Sequence, residues 1–113
     1  MTVVPDSTVV DVTEATFDDV VRTADVPVLV EFWATWCPPC RLLGPILADV
    51  ATERAGRLRV VKVDGDGEFG LVERFGVLGF PTMIVFRHGE PVRSIVGAVP
   101  KARLLAEVDA ALE

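Results

Sequence analysis

Val28-Leu29-Val30-Glu31-Phe32-Trp33 is an almost unbroken apolar run that stops just short of Trp36-Cys37-Pro38-Pro39-Cys40. A strand with one wet face alternates apolar and polar residues, whereas a run apolar at successive positions suits a strand covered on both faces. The segment therefore reads as the central strand of an α/β sheet, and its one carboxylate, Glu31, is conspicuous. Four more Val- and Ile-rich runs flank it: Thr8 to Val12, Leu58 to Val63, Thr82 to Phe86 and Val92 to Val96, each bounded by Gly, Pro or acidic residues. Between them the apolar spacing becomes helical, at Phe17, Val20 and Val21, at Leu43, Ile46, Leu47 and Val50, at Leu71, Val72 and Phe75, and at Leu104, Leu105, Val108 and Leu112. Thr13 or Thr16 suits an N-cap, Gly56 and Gly76 suit C′ positions, and Pro100 suits the first turn of the last helix. The order is βαβαβαββα. Arg87-His88-Gly89-Glu90 is too short for anything but an antiparallel hairpin, while the helical crossovers suit parallel neighbours, so the sheet is mixed.

A chain of 113 residues, half of them hydrophobic and a quarter charged, matches one globular domain, residues 1–113, with residues 1–7 read as a flexible N-terminus. The formal charge of -6, spread along the chain, repels phosphate backbones and anionic lipids, so neither nucleic acid nor membrane is an expected partner. The first residues contain no basic stretch followed by an apolar run, so export is not expected and the expected compartment is the cytoplasm.

Two cysteines three residues apart cannot make a disulfide scaffold, which needs several bridges spread over the chain. Redox chemistry or metal binding remains. Zinc wants about four ligands, and His88 is the one other soft ligand, so metal is the weaker reading. The pair falls where the central strand ends and a helix begins, the place where open α/β sheets put their sites. Proline costs nothing at the first helical positions, whose N–H groups have no helical partner, so Pro38 and Pro39 fix the helix start at Cys37. The positive end of the helix favours a thiolate, which makes Cys37 the expected exposed nucleophile. Cys40, one turn on and on the same face, is the expected resolving thiol. The expected cycle is attack by Cys37 on a partner disulfide, a mixed disulfide, then attack by Cys40, leaving a Cys37–Cys40 disulfide and a reduced partner.

FWATWCPPC, the downstream VVKVD, GFPT at Gly79 to Thr82 and VGA at Val96 to Ala98, with their spacing, resemble the thioredoxin family over nearly the whole chain, with Cys-Pro-Pro-Cys at the active site. The resemblance implies a thioredoxin-like α/β fold, a central mixed five-stranded sheet flanked by four helices. It implies a protein-disulfide reductase with no bound cofactor beyond the redox-active Cys37–Cys40 disulfide, working as a monomer on disulfide-containing proteins and reduced by an NADPH-dependent flavoprotein, thioredoxin reductase. By the same resemblance Phe80-Pro81 carries a cis bond, Trp36, Pro39, Phe80, Pro81 and Gly97 form the docking surface, and the Phe80 backbone pairs with the substrate strand. Glu31 takes the place of the family's buried Asp as proton acceptor for Cys40, Lys62 is its modulating neighbour, and Pro45 matches a helix-kinking proline. The chain departs from the family's usual Gly-Pro between the cysteines. Pro38 removes a backbone donor beside the nucleophile.

Other features carry less. Gly65-Asp66-Gly67-Glu68-Phe69-Gly70 fits a dinucleotide fingerprint, but its carboxylates would face a pyrophosphate and the chain is too short for that fold. Read as a calcium loop from Asp64, the stretch has Phe69 and Phe75 where Gly and Glu are needed. His88 reads as a solvated turn residue, Lys62 by itself as a surface lysine, and Trp33 as core. Two other functions remain open at this level: an interaction subunit that makes no use of its thiols, and a reductant dedicated to one partner, which Pro38 and Phe80 would allow.

Overall fold

Five strands and four helices follow in the expected order in a computed structural model that describes residues 8–113. The expectation of a flexible segment at residues 1–7 lies outside the described residues. The elements are β1 (Val10–Asp11), α1 (Phe17–Val21), β2 (Val28–Trp33), α2 (Pro38–Glu53), β3 (Arg59–Asp64), α3 (Phe69–Arg74), β4 (Thr82–Arg87), β5 (Glu90–Val96) and α4 (Lys101–Leu112). The sheet runs β1-β3-β2-β4-β5, so the apolar run of β2 is the middle strand, parallel to β3 and antiparallel to β4.

Side chains alternate across a strand, and this divides the core in two. Leu29, Val60, Met83, Val85 and Ile95 meet Leu43, Leu47 and Val50 of α2 and Leu104 and Val108 of α4. Val28, Val30, Phe32, Val61, Val63, Ile84 and Phe86 meet Phe17 and Val21 of α1 and Leu71 of α3 on the other face. Each fully buried Leu or Phe contributes about 1.5–3 kcal/mol relative to exposure, so these two layers hold the sheet. Glu31 and Trp33 continue the row begun by Leu29. The parity of β2 alone thus aims Glu31 at α2, and register sets it opposite Lys62 of β3 and Met83 of β4.

Several boundaries differ from the sequence reading. The first strand is only two residues, Val10 and Asp11, paired to Val61 and Lys62, and one further bond, from Val12 N–H to Lys62 O at 2.9 Å, follows it. The third begins at Arg59, with the fully buried Leu58 just ahead of it. Thr16 stands at the N-cap of α1 without capping through its side chain; its hydroxyl instead accepts the N–H of Thr13 at 2.9 Å. Gly76 follows the C-cap of α3 with φ 63°, as a C′ glycine does, whereas Gly56 lies one residue beyond the C′ position of α2, with φ 83°. The hairpin turns on two residues, His88 and Gly89, with φ 54° and 80°, the positive-φ pair that matches the twist of the flanking strands. The outer strands are β1 and β5, and the β4–β5 register slips between Val85 and Phe86.

Candidate active site

Cys37 is the N-cap of α2, and Pro38 and Pro39 occupy its first two helical positions, as their fixed φ and missing N–H favour. This makes the donors at the helix start fully countable. Cys37 N–H donates to Ala34 O at 3.2 Å, the two prolines have none to give, and Cys40 N–H lies 3.1 Å from Cys37 O and 3.3 Å from Cys37 Sγ. One amide, that of Cys40, therefore faces the Cys37 sulfur. Arg41 reaches back to Thr35 O at 3.0 Å and ties the preceding loop to the helix. Pro45 lies inside the helix, where it gives no N–H to the ladder.

The two cysteines are joined as a disulfide with Cα atoms 5.3 Å apart. Their exposure corrects one expectation: Cys37 is not exposed but 2 % accessible, against 6 % for Cys40. The pair packs with Ala34 under Trp33 and Phe80, and this aromatic cover, invisible in a linear motif, shields the sulfur at the helix tip.

Behind the disulfide a cleft of about 430 Å³ is lined by Glu31, Trp33 and Lys62 of the sheet and by Cys40, Arg41 and Leu47 of α2, among others. Glu31 and Cys40 thus share one space. Glu31 is 3 % exposed and its Oε2 has no hydrogen-bond partner. Burial penalises the carboxylate and Lys62 partly offsets this, so its pKa rises from 4.5 to about 7. A carboxyl near 7 can hold or release a proton at neutral pH. Lys62 is half-buried, with Nζ 5.2 Å from the centre of the Trp33 ring and 3.9 Å from Asp11 Oδ1. It is more enclosed than the surface lysine its residue type suggests.

On the opposite side, Phe80-Pro81 is a cis peptide. Trp36 is 63 % exposed and meets Phe80 edge-on at 6.0 Å between ring centres. Pro39 is exposed, Phe80 and Gly97 are half-buried and Pro81 is buried, so of the expected docking residues Pro81 offers no exposed side chain. Its carbonyl accepts Gly97 N–H at 2.9 Å and fixes those two segments side by side. Sequence reasoning missed Asp66, whose Oδ2 accepts Trp36 Nε1–H at 2.8 Å. Asp64 Oδ1 in turn accepts Asp66 N–H at 3.1 Å, so these two carboxylates are engaged in holding the loop and the indole. The remaining signal at Asp66 was only a polar residue in a Gly-rich loop. Among the described residues no group of three or more His, Cys, Asp or Glu side chains is arranged to hold a metal ion. His88 is exposed in its turn.

The geometry is that of a dithiol–disulfide couple at a helix start, backed by a proton-holding acid and fronted by an aromatic lip. The thioredoxin family model matches residues 8–110. The chain is 47 % identical over 102 residues to a thioredoxin of Mycobacterium tuberculosis, covering 90 % of this chain and 88 % of that protein. It is 45 % identical over 109 residues to a thioredoxin of Mycolicibacterium smegmatis, covering 95 % and 97 %. A bifunctional thioredoxin reductase/thioredoxin of Mycobacterium leprae is 44 % identical over 99 residues, which is 88 % of this chain and 22 % of that protein.

Proposed function

The chain belongs to the thioredoxin family and is a thiol–disulfide oxidoreductase, a protein-disulfide reductase, and on that premise we propose how its residues divide the work. Cys37 attacks a partner disulfide, forming a mixed disulfide and expelling one partner thiolate, which takes up a proton. Cys40 then loses its proton to Glu31 and attacks the Cys37 sulfur; the second partner thiolate leaves and takes up a proton, and Glu31 gives up the one it accepted. The partner gains two electrons and two protons, and the chain ends as the Cys37–Cys40 disulfide. Lys62 modulates Glu31 by its charge. The partner docks on Trp36, Pro39, Phe80, Pro81 and Gly97.

The observation that carries this reading is the placement of Cys37 at the helix N-cap with Cys40 N–H on its sulfur, while Cys40 shares the rear cleft with Glu31. A sulfur facing an amide and a helix terminus is the better thiolate, and a thiol facing a proton acceptor is the better second attacker. A single domain spanning residues 1–113, a monomeric state, a cytoplasmic location and reduction by an NADPH-dependent flavin reductase complete the proposal. The bifunctional Mycobacterium leprae relative, by name reductase and thioredoxin in one chain, supports the last. Among the described residues no helix is long and apolar enough to cross a membrane.

Mixed-disulfide trapping tests the assignment. Cys40→Ser should accumulate covalent adducts with disulfide-bearing proteins through Cys37, and Cys37→Ser should not. Adducts formed equally well by Cys37→Ser would reverse the two roles. Many trapped proteins would indicate a general reductant, one dominant adduct a dedicated one.

A further inference from the structure

Phe80, which covers the cysteine pair, owes its position to an absent side chain. Gly65, the residue after β3, is buried, and its N–H donates to Trp33 O at 2.7 Å. It is not among the positive-φ residues, so its backbone accepts any side chain and the need for glycine is spatial. A Cβ built there would overlap Cζ and Cε1 of Phe80 and would stand 3.2 Å from Cε2. The ring therefore lies on the Gly65 backbone, at 69° to the Trp36 ring, and packs against the group formed by Ala34, Cys37 and Cys40.

We propose that Gly65 is a positioning residue for substrate docking: the space left by its missing side chain seats the Phe80 ring, and that ring with Trp36 forms the aromatic wall beside Cys37. The proposal rests on the docking role given above to Trp36 and Phe80. Asp66, the next residue, holds Trp36 through its indole N–H, so adjacent residues of one loop set both rings, one by a hydrogen bond and one by a void. An apolar wall at the nucleophile favours disulfide segments with an apolar or aromatic residue flanking the cysteine, because such a side chain gains ring contact where a charged one loses water. Positions 65 and 80 act as a size pair. An isoleucine at 80 has no atoms at the two ring positions that collide with a Cβ, so the glycine would then be dispensable.

The test compares full-length wild type, Gly65→Ala, Phe80→Ile and the double variant in dithiothreitol-driven insulin reduction, with thermal unfolding followed in parallel. Gly65→Ala should raise KM for insulin roughly 2- to 10-fold, the range of an aromatic contact, with kcat unchanged. The double variant should return to the KM of Phe80→Ile. An unchanged KM in Gly65→Ala, or a rise that persists in full in the double variant, would overturn the proposal. If Gly65→Ala fails to fold, a folded double variant matching Phe80→Ile sustains the pairing and an unfolded one refutes it. A wild type inactive on insulin would instead refute the docking reading, which separates the two failures.

Discussion

Replacing Glu31 by Gln should stabilise the oxidised protein by an amount that grows with pH. In the folded chain the Glu31 carboxyl holds its proton up to about pH 7, whereas its ordinary value is 4.5. A raised acid pKa means that the folded state binds more protons than the unfolded state between those limits, so stability falls as pH rises through the window. The gap, at about 1.4 kcal/mol for each tenfold in proton affinity, amounts to about 3 kcal/mol, all of it present as a penalty above the folded pKa and none of it below the unfolded one. Gln keeps the volume and cannot ionise. At pH 4 the two proteins should therefore be nearly equal in stability, and at pH 8.5 the variant should lead by about 3 kcal/mol. Urea unfolding of both proteins at pH 4, 5.5, 7 and 8.5 measures the difference, in which groups common to both cancel. A difference that stays flat across this range, or one that favours wild type at pH 8.5, would refute the account of Glu31 as a desolvated acid.

The same variant should slow the second step of disulfide exchange, seen as a longer-lived mixed disulfide at pH 7, because Cys40 loses its proton acceptor. Phe17→Ala should cost about 3–5 kcal/mol in denaturant unfolding, since this ring is fully buried against Phe75 and Phe86 at 5.1 and 5.6 Å and is the main anchor of a five-residue helix. Asp66→Ala should cost less than about 1.5 kcal/mol in stability, as one largely exposed hydrogen bond is lost, yet should change Trp36 fluorescence. Pro38→Gly restores an N–H at the first helical position, so the reduced variant should show a lower Cys37 thiol pKa than reduced wild type, measured by thiolate absorbance against pH; no change would show that this amide does not reach the sulfur.

Much of the architecture is written in local periodicity. The run from Val28 to Trp33 gave the middle strand with both ends correct, because continuous apolar sequence and burial on two faces are one physical fact. The start of α2 was equally plain, since two prolines after a cysteine leave few other conformations. β1 was overread because Thr8 to Val12 has strand character throughout, whereas the ladder with β3 is confined to Val10 and Asp11, and where pairing starts and stops is a tertiary property. At the site, the identities of Cys37, Cys40 and Glu31 as candidates came from sequence, and the burial of Glu31 followed from its neighbours. The low accessibility of Cys37, the bond from Trp36 to Asp66 and the seat of Phe80 on Gly65 did not. Each joins residues roughly 15 to 45 positions apart, and no periodicity encodes such a contact.

The two borders of the sheet bear on what a protein that handles other chains must avoid. An outer strand offers a row of unsatisfied donors and acceptors, to which any extended polypeptide can adhere. Here one border is only two residues long, and the other carries Glu90, Pro91 and Arg93, is offset by the slip at Val85 and Phe86, and is linked to α4 by the ion pair of Arg93 with Glu107. Neither is a good template. A visiting unfolded segment therefore finds little to zip onto along the flanks, its stay is governed by the sulfur chemistry at the strand ends, and departure after reduction is not slowed by a growing ladder.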